Sequence, residues 1–387
     1  MEIDKNYEGR EHSQIKHELL KGYLEKLLFI KGVKNTKELT YVDCFAGPWG
    51  DESGDHRATS IAISINMLEK VRESLAAVHK VYDVKFRAIY VEKTQKSHRE
   101  LKQYLDSNCP SYIEHHALCG DYTDKIDEIL TLCGNSFTFF FVDPKQWTPV
   151  GIPKLSKLLA RKNSEFLITF MYDFLNRFLK KKELRQQVCS LLGPMRDDEI
   201  DALCALVPAT RELALVRKYR DALKAAMPVN GERKPRSYHA TVLDKDKERT
   251  KYHMVYLTSH PKGIVEFSTL SEGVGIFQRK VHFETRQART GQKDMFGIDD
   301  ATIEQLESAD TDDVKRYWMD RLKTIARVYN EDDLADMLED TDWLISDLER
   351  AFKELQSEGN VENMDALRKR PVHPINFEKG ERLRRCV

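Results

Sequence analysis

Apolar runs and helical periodicities alternate along the first 170 residues of the chain. Five short apolar or β-type runs predict strands, at 39–42, 86–91, 112–116, 136–142 and 166–171. Between them, helical patterns occur at 12–31, 61–81, 94–107, 122–133 and 152–159. The run 136–142 is continuous, which is typical of a parallel strand buried on both faces. This alternation predicts a doubly wound parallel sheet.

The alternation stops near residue 173. Residues 173–228 are charged and helical in character, so we predict a helical insertion followed by a helix that returns to the sheet. Two β-type runs, 237–243 and 252–259, are separated by a charged link, which is typical of a hairpin. The predicted fold class is therefore α/β, with a doubly wound, mostly parallel seven-stranded sheet that ends in this hairpin.

The composition changes again from about residue 284. We predict three parts: a domain at 1–285, a linker at 286–311 and a small C-terminal module at 312–387. Within the module, helices are predicted at 312–329 and 341–358, and Gly359 ends the second helix. A helix followed by a short basic hairpin is typical of a winged helix, so the module is predicted to be winged-helix-like.

Composition limits the classes of protein to consider. The chain has 387 residues, with 62 Lys and Arg against 63 Asp and Glu, so it is not grossly basic. The sequence has no apolar run near the ~20 residues that a membrane span needs, and its polar start does not resemble a signal peptide. Seven scattered cysteines without a C-x-x-C pair argue against zinc and against disulfides. We expect a reduced, cytoplasmic protein with no membrane partner and no metal.

The first predicted strand ends in an acid and a turn of small residues. Asp43 closes the strand, and Phe45, Ala46 and Gly47 follow it. Gly47 lets the backbone approach a ligand closely because it has no Cβ. The segment lacks the dinucleotide pattern G-x-G-x-x-G and instead resembles motif I of class I S-adenosylmethionine (SAM) methyltransferases. The alternative is an ordinary strand followed by a glycine turn.

Two further acids follow predicted strands. Glu92 ends the second strand, where a carboxylate can accept hydrogen bonds from the two hydroxyls of a ribose. Asp121 follows the third strand and can accept a hydrogen bond from an adenine amino group. Asp121 is equally suited to cap the next helix, and the two roles are compatible. With the motif I residues, these acids form the predicted SAM site.

The fourth strand ends in the segment DPKQW, which supplies the predicted catalytic residues Asp143, Pro144, Lys145 and Trp147. It lies where amino methyltransferases keep Asp/Asn-Pro-Pro-aromatic, but Lys145 replaces the second proline and Trp147 comes one residue late. The alternatives are a solvated Lys145 and a Trp147 that packs under a loop. Motif I also resembles that of cytosine-5 DNA methyltransferases, but no Pro-Cys nucleophile follows, which argues against covalent attack on a pyrimidine.

Several segments together resemble the three-Cys-motif partner protein (TcmP) family. The segments are KHELLKGYL at the N-terminus, DCFAGPWG, VEK, FFFVDPKQWTPVGIP and ITFMYDFLNRFL at 168–179. The resemblance covers the chain to about residue 285, and its specific part is the FVDPK-W element joined to MYDFLNRF. It implies a SAM-methyltransferase-like fold and association with a three-cysteine-motif partner protein.

The functional hypothesis is a SAM-dependent methyltransferase that acts on nucleic acid. Predicted substrate-binding residues are Tyr172 and Asp173, at the end of the fifth strand, and the basic tail residues Arg368, Lys369, Arg370 and Arg384. Three alternatives stay open: a catalytically silent scaffold, a methyltransferase of proteins and one of small molecules. The tail is also consistent with a solvated terminus, and Lys16 and His17 are predicted to be solvated helix residues.

Overall fold

A computed structural model describes residues 7, 11–34, 36–47, 59–244, 249–290, 308–366, 370 and 372–386, without the side chains of 284–290. The predicted loop at 51–57, the linker segment 291–307 and the tail residues Arg368 and Lys369 lie outside the described residues. The chain divides into two compact units, Met1–Ser259 and His260–Val387. The division comes earlier than the predicted domain end at residue 285, because a helix that begins at Pro261 groups with the second unit.

The first unit is built on one seven-stranded sheet. Its strands are β1 (Glu38–Asp43), β2 (Lys85–Glu92), β3 (Ile113–Cys119), β4 (Phe137–Val142), β5 (Ser164–Phe170), β6 (Arg236–Leu243) and β7 (Thr250–Thr258). The strand order is β3-β2-β1-β4-β5-β7-β6. Strands β1 to β5 pair in parallel, and β7 pairs antiparallel with both β5 and β6. The sheet confirms the predicted fold class.

Nine helices of the first unit are described. They are α1 (Glu11–Val33), α2 (Ser60–His79), α3 (Gln95–Asn108), α4 (Tyr122–Cys133), α5 (Ile152–Leu159), α6 (Tyr172–Phe178), α7 (Arg185–Leu192), α8 (Asp197–Ala205) and α9 (Pro208–Ala226). Every residue of β4 and β5 is buried, which explains why the apolar residues of both strands do not alternate with exposed polar ones. Helices α6 to α9 form the insertion that the charged segment 173–228 predicts.

Short polar side chains fix where three of the helices begin. Thr59 and Thr94 accept backbone N–H bonds at the starts of α2 and α3, and Asp121 does the same for α4. Each of these residues satisfies a backbone donor that the first helical turn leaves without a partner. The caps set the positions at which the chain leaves β2 and β3, and therefore the positions of the acids that end or follow these strands.

The second unit contains helices and a small antiparallel sheet. Its elements are α10 (Pro261–Thr290), α11 (Thr311–Arg321), β8 (Arg327–Tyr329), α12 (Glu331–Thr341), α13 (Ile345–Ser357), β9 (Val361–Asn363) and β10 (Glu381–Arg385). The strand order is β8-β10-β9. No helix among the described residues is long and apolar enough to cross a bilayer.

The prediction of one helix at 312–329 is wrong. The helix ends at Arg321, and the segment that follows forms β8. Helix α12 was not predicted, although its start carries a clear signal: the Asn330 side chain accepts bonds from the backbone N–H groups of Asp332 and Asp333. The acids of this first turn also favour a helix start, because they complement the helix dipole.

A buried carboxylate fastens α1 to the sheet. Glu165 on β5 accepts hydrogen bonds from the hydroxyls of Tyr23 on α1, at 3.0 Å, and Tyr256 on β7, at 2.6 Å. The Lys31 ammonium lies 3.7 Å from the other carboxylate oxygen. Burial, together with the charge of Glu165, raises the pKa of both phenols well above the usual value, so both remain donors. The cluster joins three elements that are distant in sequence.

Replacing Tyr23 with Phe tests this anchor. We expect the free energy of unfolding to fall by about 1–3 kcal/mol, because a buried carboxylate loses one of its donors. Denaturant unfolding followed by circular dichroism measures the change. Tyr82→Phe serves as the matched control, because the Tyr82 side chain is 69% exposed. Equal stabilities of the Tyr23 variant and the wild type would contradict the anchoring role.

Candidate active site

Strands β1 and β4 are neighbours at the centre of the sheet, and the strand order reverses between them. In open α/β sheets, ligands bind outside the carboxyl ends of the strands at such a reversal. Asp43 is the last residue of β1, and Asp143 follows β4 directly. The backbone N–H of Cys44 donates to the carbonyl of Phe141, which holds the two strand ends together. Two acids are therefore brought side by side at the reversal point.

Asp43 is fully buried and has two hydrogen-bond donors. Its Oδ1 accepts from the backbone N–H of Phe45 at 2.9 Å, and its Oδ2 accepts from the Ser60 hydroxyl at 2.6 Å. Burial raises the pKa of Asp43 to about 6; Asp143 adds to this effect, whereas the two hydrogen bonds and the Lys16 charge oppose it. A carboxylate kept in this position at a cost to stability is typical of a functional site.

Glu92 and Gly47 meet where β2 ends. The Oε1 atom of Glu92 accepts from the backbone N–H and the hydroxyl of Thr94, at 2.7 and 3.0 Å. A Cβ added to Gly47 would lie 2.0 Å from Glu92 Oε2. The missing side chain at Gly47 therefore leaves room for a carboxylate oxygen, so the two predicted residues do come together. The backbone N–H of Ala46 donates to the carbonyl of Val91, which fixes the turn against β2.

Asp121 has the capping role that the sequence analysis weighed against ligand binding. Its Oδ1 accepts from the backbone N–H and the hydroxyl of Thr123, and its Oδ2 pairs with Lys93 at 3.1 Å. The adjacent Tyr122 ring packs on the Phe45 ring, with the centroids 5.0 Å apart. This contact links the turn after β1 to the loop after β3. The capping bonds use one oxygen, and ligand binding at Asp121 stays a prediction.

Asp143 is held by two side chains from different elements. Lys16 on α1 donates to its Oδ2 at 2.5 Å, and Thr169 on β5 donates to its Oδ1 at 2.6 Å. The Lys16 and Asp143 side chains are 15% and 21% exposed. Each carboxylate oxygen therefore has a separate donor, which defines the orientation of the carboxylate while part of it still faces solvent.

Lys16 and Thr169, the two residues that bond Asp143, were not predicted as site residues from the sequence. The prediction that Lys16 is a solvated helix residue is wrong, because its ammonium bonds Asp143. His17 also has a partner, since its Nδ1 lies 2.8 Å from the Tyr7 hydroxyl. A weak signal exists in the sequence: Lys16 follows Ile15 at the edge of the wide apolar face of α1, where a lysine needs a partner.

His12 lies one turn before Lys16 on α1. Its Nε2 is 2.8 Å from Lys251 Nζ, and Tyr252 donates to its carbonyl oxygen. Burial, with help from the charges of Lys251 and Lys16, lowers the pKa of His12 to about 4. The imidazole is therefore neutral at pH 7, and it accepts a hydrogen bond from the Lys251 ammonium. These contacts hold the start of α1 against β7.

The other residues of the DPKQW segment differ in exposure. Pro144 is buried, Lys145 is exposed and Trp147 is buried. The burial of Trp147 matches the interpretation that it packs under a loop, whereas stacking on a substrate stays a prediction. The exposure of Lys145 is consistent with both of its predicted states, solvated or bound to phosphate. Among the described residues, His, Cys, Asp and Glu side chains form no group of three suited to a metal.

Tyr172 and Asp173 begin α6 instead of ending β5, because the strand stops at Phe170. The Tyr172 ring packs edge-on against buried His253, whose Nε2 lies 3.2 Å from a carboxylate oxygen of Glu212. Burial raises the pKa of Tyr172 to about 12. Asp173 forms ion pairs with arginines 177 and 249. The predicted substrate roles of Tyr172 and Asp173 remain predictions.

Two of the predicted tail residues, Arg370 and Arg384, are described; they belong to the second unit, and each has an acidic partner. Arg370 bonds both oxygens of Glu381, at 2.9 and 2.5 Å, and Arg384 pairs with Glu362 at 2.6 Å. These pairs reduce the positive potential that the sequence suggests for this segment. The tail is thus more nearly neutral than its list of lysines and arginines indicates.

Replacing Asp43 with Asn tests the cost of this buried charge. Because the folded protein raises the pKa of Asp43 to about 6 from about 4, ionisation between these pH values favours the unfolded chain. We expect the variant to be more stable than wild type at pH 8, by on the order of 1–3 kcal/mol, and the difference to disappear below pH 4.

Denaturant unfolding at several pH values measures the difference. Asp127→Asn is the matched control, because the Asp127 side chain is 78% exposed on α4 and its replacement should cause no comparable gain. An Asp43→Asn variant that is less stable than wild type at pH 8 would contradict the conclusion that the buried charge of Asp43 destabilises the folded protein.

Comparison with known proteins adds little to this description. No family model matches the chain, and no curated protein matches it. One solved structure that the chain matches is protein LPL1258 from Legionella pneumophila, described under family-model DUF519. It has 10% sequence identity and a TM-score of 0.34, and the match covers 70% of this chain and 91% of LPL1258. A second is PKMT2 from Rickettsia typhi, with 8% sequence identity and a TM-score of 0.26. The match covers 63% of this chain and 56% of PKMT2, so this chain spans little more than half of that protein. Similarity at this level carries no information about ligand or reaction, and the methyltransferase-like fold class rests on the strand order itself.

Proposed function

We propose that the first unit binds SAM and transfers its methyl group to an acceptor near Asp143. The observation that supports this most is the buried Asp43 at the β1–β4 reversal, on a sheet whose strand order is that of class I methyltransferases. Gly47 adds a second observation, because the space of its missing Cβ adjoins the Glu92 carboxylate. Acids at the carboxyl ends of neighbouring strands suit a ligand with a cationic sulfonium and an ammonium group.

The residues divide the work in this proposal. Glu92 accepts hydrogen bonds from the ribose hydroxyls, and Asp121 accepts one from the adenine amino group, beside the ring of Phe45. Asp43 orders the turn through its bond to the Phe45 N–H and supplies negative charge next to the methionine part of the cofactor. SAM supplies both the methyl group and its own leaving group, so the protein mainly has to position the acceptor.

Asp143 is the proposed acceptor-binding residue. Its carboxylate is oriented by Lys16 and Thr169 and remains partly exposed. An acceptor amine can donate to the lone pairs that these two contacts leave available. Lys145 and Trp147 follow on the same segment and are proposed to contact the acceptor. Because the segment lacks the second proline of amino methyltransferases, the acceptor is not assigned to adenine.

Calorimetric titration with SAM, and with its demethylated product, tests the cofactor proposal. We expect wild type to bind and Asp43→Asn to bind about 10- to 100-fold more weakly, the loss associated with a buried charged partner. Glu92→Gln should weaken binding in the same direction. Asp127→Asn is again the control and should bind like wild type. Absence of binding by wild type, or undiminished binding by both site variants, would overturn the proposal.

A nucleic acid acceptor is the second part of the proposal. The order of elements after α10 in the second unit supports it: a helix, a strand, two helices and two strands, with β10 between β8 and β9. This order suits the predicted winged-helix-like module. The paired tail arginines weigh against a strongly basic surface, so the contribution of the tail rests on few residues. If the protein is a scaffold, or if its acceptor is a protein or a small molecule, no affinity for nucleic acid is expected.

The double replacement of Arg368 and Lys369 with Gln tests the tail. If these residues neutralise phosphates, affinity for a labelled DNA duplex should fall, and the logarithmic salt slope should decrease by about two. Fluorescence anisotropy at several salt concentrations measures both quantities. Lys85→Gln is the control, since the Lys85 side chain is 81% exposed at the start of β2, at the opposite edge of the sheet from the site. An unchanged slope would show that Arg368 and Lys369 do not contact phosphate.

Transfer of labelled methyl from SAM separates an enzyme from a scaffold. We expect label to enter total RNA or DNA incubated with wild type, and Asp143→Asn to lower the incorporation by at least about tenfold because the acceptor loses a charged partner. Label in protein instead of nucleic acid would redirect the acceptor assignment. SAM binding without incorporation into nucleic acid, protein or small molecules would favour the scaffold.

A further inference from the structure

Lys16 is a cation close to the two acids of the β1–β4 reversal. It enters from α1 and contacts Asp143, which follows β4, while Asp43 ends the neighbouring strand β1. Its ammonium bonds Asp143 directly, and its charge also acts on Asp43, with the opposite sign to that of Asp143. One cation therefore interacts with both acids of the β1–β4 reversal.

The surroundings of Asp43 show why this cation matters. The side chains and backbone groups near its carboxylate are neutral donors, namely the Ser60 hydroxyl from α2 and the Phe45 N–H from the turn. The neighbouring groups on β1, β2 and the turn are Tyr41, Tyr90 and Cys44, and burial raises the pKa of each, so they are neutral. Among the charged groups that act on Asp43, Asp143 disfavours its ionised form and Lys16 favours it.

We propose that Lys16 is a positioning residue that couples the two halves of the site: it orients Asp143 toward the acceptor and, through its charge, keeps Asp43 ionised for the cofactor half. This inference rests on the proposed function for the roles of the two halves. The electrostatic coupling itself is a property of the free protein. Thr169 also orients Asp143, because its hydroxyl bonds the carboxylate, but it carries no charge and so cannot favour the ionised form of Asp43.

The competing explanation is that Lys16 only fastens α1 to the sheet. In that case its removal would lower stability without changing the titration of Asp43. Tyr23 already anchors α1 through Glu165, so loss of Lys16 need not detach the helix. Lys16→Met keeps most of the apolar stem and removes the charge, whereas Lys16→Arg keeps the charge. Thr169→Val removes the other hydrogen bond to Asp143 and leaves the charges unchanged, which makes it the matched control.

The experiment is a carbon-13 NMR titration of aspartate carboxyl groups in the full-length, ligand-free protein, with the Asp43 signal assigned from Asp43→Asn. We expect Lys16→Met to move the Asp43 midpoint to higher pH, since it removes the opposing charge and leaves the like charge of Asp143. Lys16→Arg should restore the wild-type midpoint. Thr169→Val should leave that midpoint within about 0.3 units of wild type, because it removes no charge.

Calorimetric titration with SAM at pH 6.5 and 8.5 tests whether this coupling affects cofactor affinity. We expect Lys16→Met to bind more weakly than wild type at pH 6.5 and to recover at pH 8.5, where Asp43 is again ionised. An unchanged Asp43 midpoint in Lys16→Met, with lower thermal stability, would overturn the inference and leave Lys16 as an anchor. A shifted midpoint in a protein that does not bind SAM supports the coupling and overturns the proposed function instead.

Discussion

The pairing of β1 with β4 is the constraint on which the candidate site depends. It places the acid that ends β1 beside the acid that follows β4, with Cys44 N–H bonded to the Phe141 carbonyl between them. Two carboxylates in such a position repel each other, and one of them, Asp43, is fully buried. The structure opposes that repulsion with a cation from α1, 127 residues from Asp143 along the chain. The N-terminal helix is therefore part of the site and not only a cover for the sheet.

The anchoring of α1 and the chemistry of the site are linked by this arrangement. The hydrogen bonds of Tyr23 and Tyr256 to Glu165 fasten the middle of α1 to β5 and β7, while Lys16 lies about two turns closer to its start. A helix fixed at one buried point presents its first turns in a defined position. The cost of keeping Asp43 ionised is a local loss of stability, which packing elsewhere in the sheet must offset. Such a cost is expected at a binding site and has no structural purpose of its own.

The charges of the second unit are arranged differently. Arg370 and Arg384 are matched by Glu381 and Glu362 within the same small sheet, so much of its basic character is neutralised locally. A polyanion that bound there would have to compete with these carboxylates. The exposed Arg384–Glu362 pair is weak enough to allow it, whereas Glu381 is buried and bonds Arg370 through both oxygens. The positive potential of the tail therefore depends on which ion pairs form in the folded protein, and a count of its basic residues overstates it.

The amino-acid pattern by itself determined the sequence of elements in the first unit, the seven-stranded sheet and the acids at strand ends, because apolar periodicity and helix caps are local properties. Asp43, Glu92 and Asp143 were predicted for the same reason: each directly ends or follows an apolar run. Only the tertiary structure decided that Lys16 bonds Asp143 and that Gly47 adjoins Glu92, since these contacts join residues far apart in sequence. It also decided that Tyr172 begins a helix and that Arg370 and Arg384 have acidic partners. Side-chain pairing depends on which elements pack together, so it produces no periodic pattern in the sequence.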